Sequence, residues 1–399
     1  MAGRQTVDKD GWSPQPVIDW LFSDGRLITD TSEFVHQLAQ RLCACGAPLD
    51  RILITIQTLN PEIIATSYLW LKSTDSVTRF KAEWQVRETD RYIGSPLQQL
   101  FETRKRVRQR LDRLPEGAHA AYTELAGEGF TDYLALPLIF SWGLGSALIL
   151  SSKKPGGFCI ADIEHFRVLR TFLSPIIEIY SLRRLAESLL ETYVGRRTGK
   201  KVLDGMIRRG DADIINAALW FSDLRDFTRL TETLPAEQVL EMLNEYFEFV
   251  AAAVTARGGE ILRFIGDAML IVFPIDDANG ARSACNAAID SAIDAQSTLA
   301  SLNHRRHRHG LPEISFGVGL SVGEVVYGNV GAPGRLDFTV MGPVVNRTAR
   351  LESLTKTLGC NILFSEEFAQ LIDTPSQFLG LHEMKGIEKE QPVYALCES

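Results

Sequence analysis

Two acidic residues stand where apolar runs stop. Asp223 follows Trp220-Phe221-Ser222, and Asp267 follows Phe264-Ile265-Gly266 and precedes Ala268-Met269-Leu270. A carboxylate on a tight turn at a strand end is held by a rigid edge, and two that converge present hard oxygen ligands to divalent cations. That arrangement serves phosphoryl and nucleotidyl chemistry. A third acid, Asp226, precedes Phe227-Thr228 at a turn and reads as a capping residue outside the pair.

The elements that must carry these residues follow from the periodicity after residue 216. The pattern predicts a strand over 217–221, a helix over 235–257 and a hairpin with arms 260–264 and 268–273 around Gly266-Asp267. It continues with a helix over 279–302, strands over 314–322, 325–329 and 338–341, a helix over 344–358, and strands over 361–364, 378–384 and 393–397. Helices and strands interleave around one sheet, so the fold class is α/β or α+β.

Upstream, residues 16–177 form a first α/β domain, with a helix over 34–45 and strands at 51–56, 65–70, 132–138 and 145–150. Residues 178–212 read as a connector and 213–399 as the second domain. In the connector region Phe172, Ile179, Ala186 and Tyr193 fall in one heptad register, with Ile176, Leu182 and Leu189 on the same face. This predicts a two-stranded coiled coil or one amphipathic helix packed on its own domain. The glycines 195, 199, 205 and 210, interleaved with arginines and lysines, argue against one rigid helix there and for a segment that transmits motion.

The chain has 399 residues, which favours two domains. Its 42 basic and 50 acidic residues give a net charge of -8, which speaks against a large non-specific nucleic-acid face. No long uninterrupted apolar run and no signal peptide are visible, so a cytoplasmic protein without a membrane span is expected. The six cysteines are scattered, without the paired spacing of a zinc site.

Four stretches make the chemistry more specific. They are Phe221-Ser222-Asp223-Leu224-Arg225-Asp226-Phe227-Thr228, Phe264-Ile265-Gly266-Asp267-Ala268, the run from Gly319 to Gly331, and the run from Asp337 to Glu352. In this order and spacing, residues 217–397 resemble the catalytic domain of class III nucleotide cyclases. The resemblance implies a ferredoxin-like, palm-type domain with a mixed sheet and flanking helices. It also implies an adenylate cyclase that converts ATP to 3′,5′-cyclic AMP and pyrophosphate. Two Mg²⁺ or Mn²⁺ ions per active site would be held by Asp223, Asp267 and the backbone carbonyl of Leu224. Asn346 would orient the ribose, and Arg350 would stabilise charge on the phosphates. They are four apart on one helix face, and a guanidinium fork suits phosphate oxygens.

The family completes its site across a subunit interface, so a chain with one copy of each motif is expected to be a homodimer. Adenine recognition would fall to Arg263 and Thr339. Adenylyl members generally carry lysine at the first of these positions, and the larger, directional guanidinium puts base selection in question. Guanylyl cyclase activity, or a catalytically weak nucleotide-binding module, is the alternative. Residues 16–177 resemble a GAF-type sensor for a small-molecule or protein signal; a dimerisation domain without a ligand fits the same pattern.

Other features carry less. Gly258-Gly259-Glu260-Ile261-Leu262 is similar to the diguanylate cyclase hairpin but lacks its Glu-Phe ending. Glycines 317, 319 and 323 do not form a dinucleotide turn. The run His304-Arg305-Arg306-His307-Arg308-His309 reads as a solvated loop, and Arg335 as a candidate second phosphate contact.

Overall fold

The computed structural model describes residues 11–58, 60, 63–143, 145–275 and 280–397. The chain divides into two compact units between Leu189 and Leu190.

In the first unit the order is α1 (Gln15–Phe22), α2 (Thr31–Ala44), β1 (Arg51–Gln57), β2 (Ile63–Leu71), β3 (Ser76–Glu83), α3 (Pro96–Thr103), β4 (Val107–Arg110), α4 (Ala120–Gly127), β5 (Asp132–Ile139), β6 (Gly145–Ser152) and the long α5 (Ile160–Val194). The strands form one antiparallel sheet in the order β3-β2-β1-β6-β5-β4. Alternation along β1 splits its side chains between two faces. Ile52, Ile54 and Ile56 join the core with Phe34, Phe166, Leu169 and Ile177 from α2 and α5. Leu53 packs on the opposite face with Leu100, Leu125 and Tyr133.

The second unit runs α6 (Arg196–Leu203), β7 (Ala212–Leu224), α7 (Phe227–Thr233), α8 (Ala236–Thr255), β8 (Glu260–Ile265), β9 (Ala268–Ile275), α9 (Gly280–Arg308), β10 (Phe316–Ala332), β11 (Arg335–Met341), α10 (Pro343–Leu358), β12 (Ile362–Ser365), α11 (Glu366–Ala369), β13 (Ser376–His382) and β14 (Gln391–Leu396). Its mixed sheet has the order β13-β14-β12-β10-β7-β9-β8, with β11 added to the far half of β10. Only the β10–β12 pairing is parallel among the described residues. β7 is central because its apolar run serves both faces. Ala218 and Trp220 pack under α8 and α9, while Ala217 and Leu219 meet Leu262, Tyr327 and Val340. Burying a large apolar side chain of this kind contributes roughly 1.5–3 kcal/mol.

Several expectations are corrected. The strands expected over 314–322 and 325–329 are one strand, β10. The chain does not break at Gly323-Glu324 because β7 pairs straight through it and β11 takes up pairing from Val326. The His-Arg run is helical as far as Arg308, so it is no solvated loop. Arg306 is buried, pairs with Glu245 and donates to the Pro312 carbonyl at 2.7 Å. Cationic residues there also suit the helix C-terminus. The expected start of this helix at Asn279 lies outside the described residues, as do the N-terminal residues 1–10 used to argue against a signal peptide.

The glycine-rich connector is not one rigid helix, in line with the expectation: the long α5 stops at Val194 and the short α6 covers Arg196–Leu203. Gly195, at φ +88°, breaks the chain from α5, and Gly199 lets α6 fold back against Leu190. The Glu260 carboxylate accepts from the Arg197 and Thr198 amides at 2.9 and 3.3 Å, capping α6, and Thr198 and Tyr327 share a 2.7 Å hydroxyl hydrogen bond. Of the predicted heptad face, Phe172, Ile179, Leu182, Leu189 and Tyr193 are exposed. Ile176 instead is buried in the first unit's core beside Leu173 and Ile177. Among the described residues no helix is long and apolar enough to cross a membrane.

Candidate active site

Strand register brings the two aspartates together. β8 and β9 close into a hairpin with Ile265 opposite Ala268, which leaves Gly266 and Asp267 as the turn; Gly266 supplies the positive φ of +65°. β7 pairs with β9 up to Ser222 opposite Met269, so Asp223 stands one residue further, level with the turn. The result is two partly buried carboxyls side by side. Burial, the contact with the Asp223 carboxyl and its charge push the Asp267 carboxyl up to about 6. Behind them, Ser222 is fully buried and accepts from the Tyr246 hydroxyl at 2.9 Å, which fixes the end of β7 against α8. Leu224 has its side chain in the core, and Arg225 N donates to the Ser315 carbonyl at 2.7 Å. Asp226 is set apart as the residue before α7, in the left-handed region at φ +57°.

The inner face of α10 adds two residues that sequence reasoning missed. Lys356 Nζ lies 3.6 Å from Asp223 Oδ2. Glu352 is 3 % exposed, and its Oε1 has no hydrogen-bond partner among the described residues. Burial first, then the charge on Asp223, push its carboxyl up to about 7, against the opposing pull of Lys356 and Arg225. α10 reaches this depth because β10 offers glycine beneath it: a side chain at Gly319 would strike the Thr348 carbonyl and the Glu352 amide, and one at Gly317 would meet Glu352 Oε1. These glycines serve helix-on-sheet packing. The signal for Glu352 was the buried stripe Thr348, Glu352, Thr355 at helical spacing, which on paper looks like a polar outer face.

The predicted ribose and phosphate residues are not brought to this site within one chain. Asn346 and Arg350 are exposed on the other side of α10. Arg350 Nε donates to the Lys385 carbonyl at 3.2 Å, and Asn346 lines a separate open cleft with Pro343, Arg347 and Gly386.

At the opposite edge, Arg263 forms an ion pair with Asp337, a partner that sequence reasoning did not identify. Thr339 lies two residues along β11 from Asp337 and so on the same face, opposite Gly328. Arg335 is exposed at the start of β11, facing Ala332 in the register.

Residues 212–397 match the adenylate and guanylate cyclase catalytic domain. The chain is 36 % identical over 176 residues to an adenylate cyclase of Anabaena cylindrica, covering 43 % of this chain and 34 % of that one. It is 36 % identical over 178 residues to adenylate cyclase 1 of Rhizobium meliloti, covering 44 % and 26 %. The chain thus spans about a third or less of these relatives. The crystal structure of the adenylyl cyclase CyaB from P. aeruginosa superposes with a TM-score of 0.44 at 28 % identity, over 47 % of this chain and 96 % of that one. The paired aspartates and this match together make residues 212–397 a catalytic domain of the class III nucleotide cyclase family.

Proposed function

We propose that this chain is a homodimeric adenylyl cyclase that converts ATP to 3′,5′-cyclic AMP and pyrophosphate. The observation that carries the reading is the splitting of the site residues. Asp223 and Asp267 meet at one sheet end, while Asn346 and Arg350 face away on the outer side of α10. A twofold partner would supply the missing half to each pocket.

The residues present fit divalent ions. Two adjacent carboxyls, one raised in proton affinity by burial and then by its neighbour, and a buried Glu352 oxygen with no donor form a set of oxygens with only Lys356 as a close cation. Asp223, Asp267 and the Leu224 carbonyl would hold Mg²⁺ or Mn²⁺, which would supply acidification of the ribose 3′-hydroxyl and charge neutralisation of the triphosphate. Asn346 of the partner subunit would fix the ribose so that its 3′-oxygen faces the α-phosphorus. Arg350 of the partner subunit would take up charge on the phosphate oxygens as pyrophosphate departs. The 3′-oxygen would bond to the α-phosphorus as the bond from that phosphorus to the bridging oxygen breaks, with the hydroxyl proton passing to solvent and pyrophosphate leaving with the electron pair.

ATP is favoured as substrate because the guanidinium of Arg263 and the hydroxyl of Thr339 offer donors to the acceptor N1 of adenine. The Asp337 carboxylate beside them is an acceptor that would suit guanine, so GTP is the competing substrate. Residues 16–177 are proposed as the regulatory domain.

The test uses full-length protein with ATP or GTP and Mg²⁺ or Mn²⁺, with cyclic nucleotide and pyrophosphate measured. No cyclic product under any combination would refute the reading. Asp223→Ala and Arg350→Ala proteins should each be inactive, and mixing them should restore up to about a quarter of wild-type activity, as one intact pocket forms in half of the randomly assorted dimers. Failure to recover any activity would refute the shared site.

A further inference from the structure

The first unit has a partly open cavity of about 430 Å³ on the face of its sheet opposite α5. This is within the range of about 300–1,000 Å³ common for small-molecule sites. Its floor is Leu53 and Thr55 of β1, Ala65 and Leu69 of β2, and Ile149 of β6; Tyr92, Leu97 and Leu125 also line it. The walls are mostly apolar, and the Thr55 and Ser67 hydroxyls satisfy each other at 2.9 Å.

One group does not fit a dry core. Arg51 opens β1 on the cavity side, and its Nη1 is buried with no hydrogen-bond partner among the described residues. Burial pushes the guanidinium's pKa down, and the neighbouring Tyr133 and Glu128 offset this only in part. A guanidinium stays charged in proteins. A buried guanidinium nitrogen with no acceptor is destabilising, and its persistence calls for a reason. The remaining charged wall residues are Arg87, Arg91, Glu124 and Glu128, so the lining as a whole carries one excess positive charge.

We propose that this cavity binds a small apolar monoanion, a carboxylate on a compact aromatic or aliphatic body, with Arg51 receiving the carboxylate and the apolar walls enclosing the rest. Arg51 is the natural receiver because its fork matches a carboxylate in two parallel hydrogen bonds. The size sets the upper limit of one ring system, and the charge balance disfavours dianions and cations. The proposal is independent of the cyclase reading, since it concerns binding to the first unit and not turnover.

The test is calorimetric titration of full-length protein with 1-naphthoate and its uncharged isostere 1-naphthamide. Wild-type protein should bind one naphthoate per chain, at least tenfold more tightly than the amide. Arg51→Met should abolish that preference and should raise the melting temperature of the ligand-free protein, because it removes a buried donor that lacks an acceptor. Ala82→Leu, which fills the cavity from β3, should weaken both compounds. Equal affinity of the wild type for acid and amide, a preference that survives in Arg51→Met, or no naphthoate binding would overturn the proposal.

Discussion

Glu352 offers the most direct quantitative test of the site. It is almost fully buried, an oxygen lacks a partner, and its carboxyl is raised from an ordinary 4.5 to about 7. The sign follows from linkage. A carboxyl with a raised folded pKa binds its proton more tightly in the folded state, so it costs nothing below about 4.5, and the cost builds as pH rises to about 7. At 1.36 kcal/mol per pKa unit, the full cost is about 3 kcal/mol at pH 8 and under about 1 kcal/mol at pH 5. Glu352→Gln keeps the shape and removes the titration. In denaturant unfolding of full-length protein in chelator, the variant should exceed wild type at pH 8 by up to about 3 kcal/mol, with most of that gain gone at pH 5. An equal difference at both pH values would mean that Glu352 does not titrate in this range. A variant less stable than wild type at pH 8 would mean that its charge is satisfied in the folded protein, and either result would refute the reasoning.

Two further outcomes are expected. Gly319→Ala forces a methyl into the α10 backbone and should lower stability by about 3 kcal/mol in urea unfolding, whereas Gly127→Ala, with nothing within 4 Å and an ordinary φ, should cost little. Equal effects of the two would contradict the close packing of α10 on β10. Arg263→Ala should lower the preference for ATP over GTP, measured as the ratio of kcat/KM, by about tenfold, since one charge-assisted hydrogen bond carries about 1.5–3 kcal/mol. An unchanged ratio would remove Arg263 from base selection.

The aspartate pair was legible because each acid sits where a strand signal ends, and the hairpin register that joins them follows from a two-residue turn at Gly266-Asp267. The ends of helices and strands were less so. The apolar rhythm of α9 fades near Leu302, yet the helix runs on to Arg308 because Arg306 finds Glu245 across the fold. β3 went unseen since its residues are mostly exposed and polar, and only pairing with β2 makes it a strand. Glu352, Lys356 and Asp337 were invisible for a shared reason. Lys356 and Asp337 take their meaning from ion-pair partners distant in sequence and Glu352 from burial beside Asp223, and spacing along one element cannot reveal which charged residue faces inward.

The two-faced character of α10 has a consequence for how a dimer would respond to nucleotide. One side of this helix presents Glu352 and Lys356 to its own aspartates; the other presents Asn346 and Arg350 outward. In the proposed dimer each such helix belongs to two pockets at once, and the glycine floor under it leaves no slack to absorb a shift. Occupation of one pocket would then be felt in the other as a coupling free energy, equal in both directions by thermodynamic necessity. The mixed Asp223→Ala and Arg350→Ala dimer has a single working pocket. It should bind nucleotide at that pocket without the interdependence of the wild type, and identical binding curves would show that the helix transmits nothing.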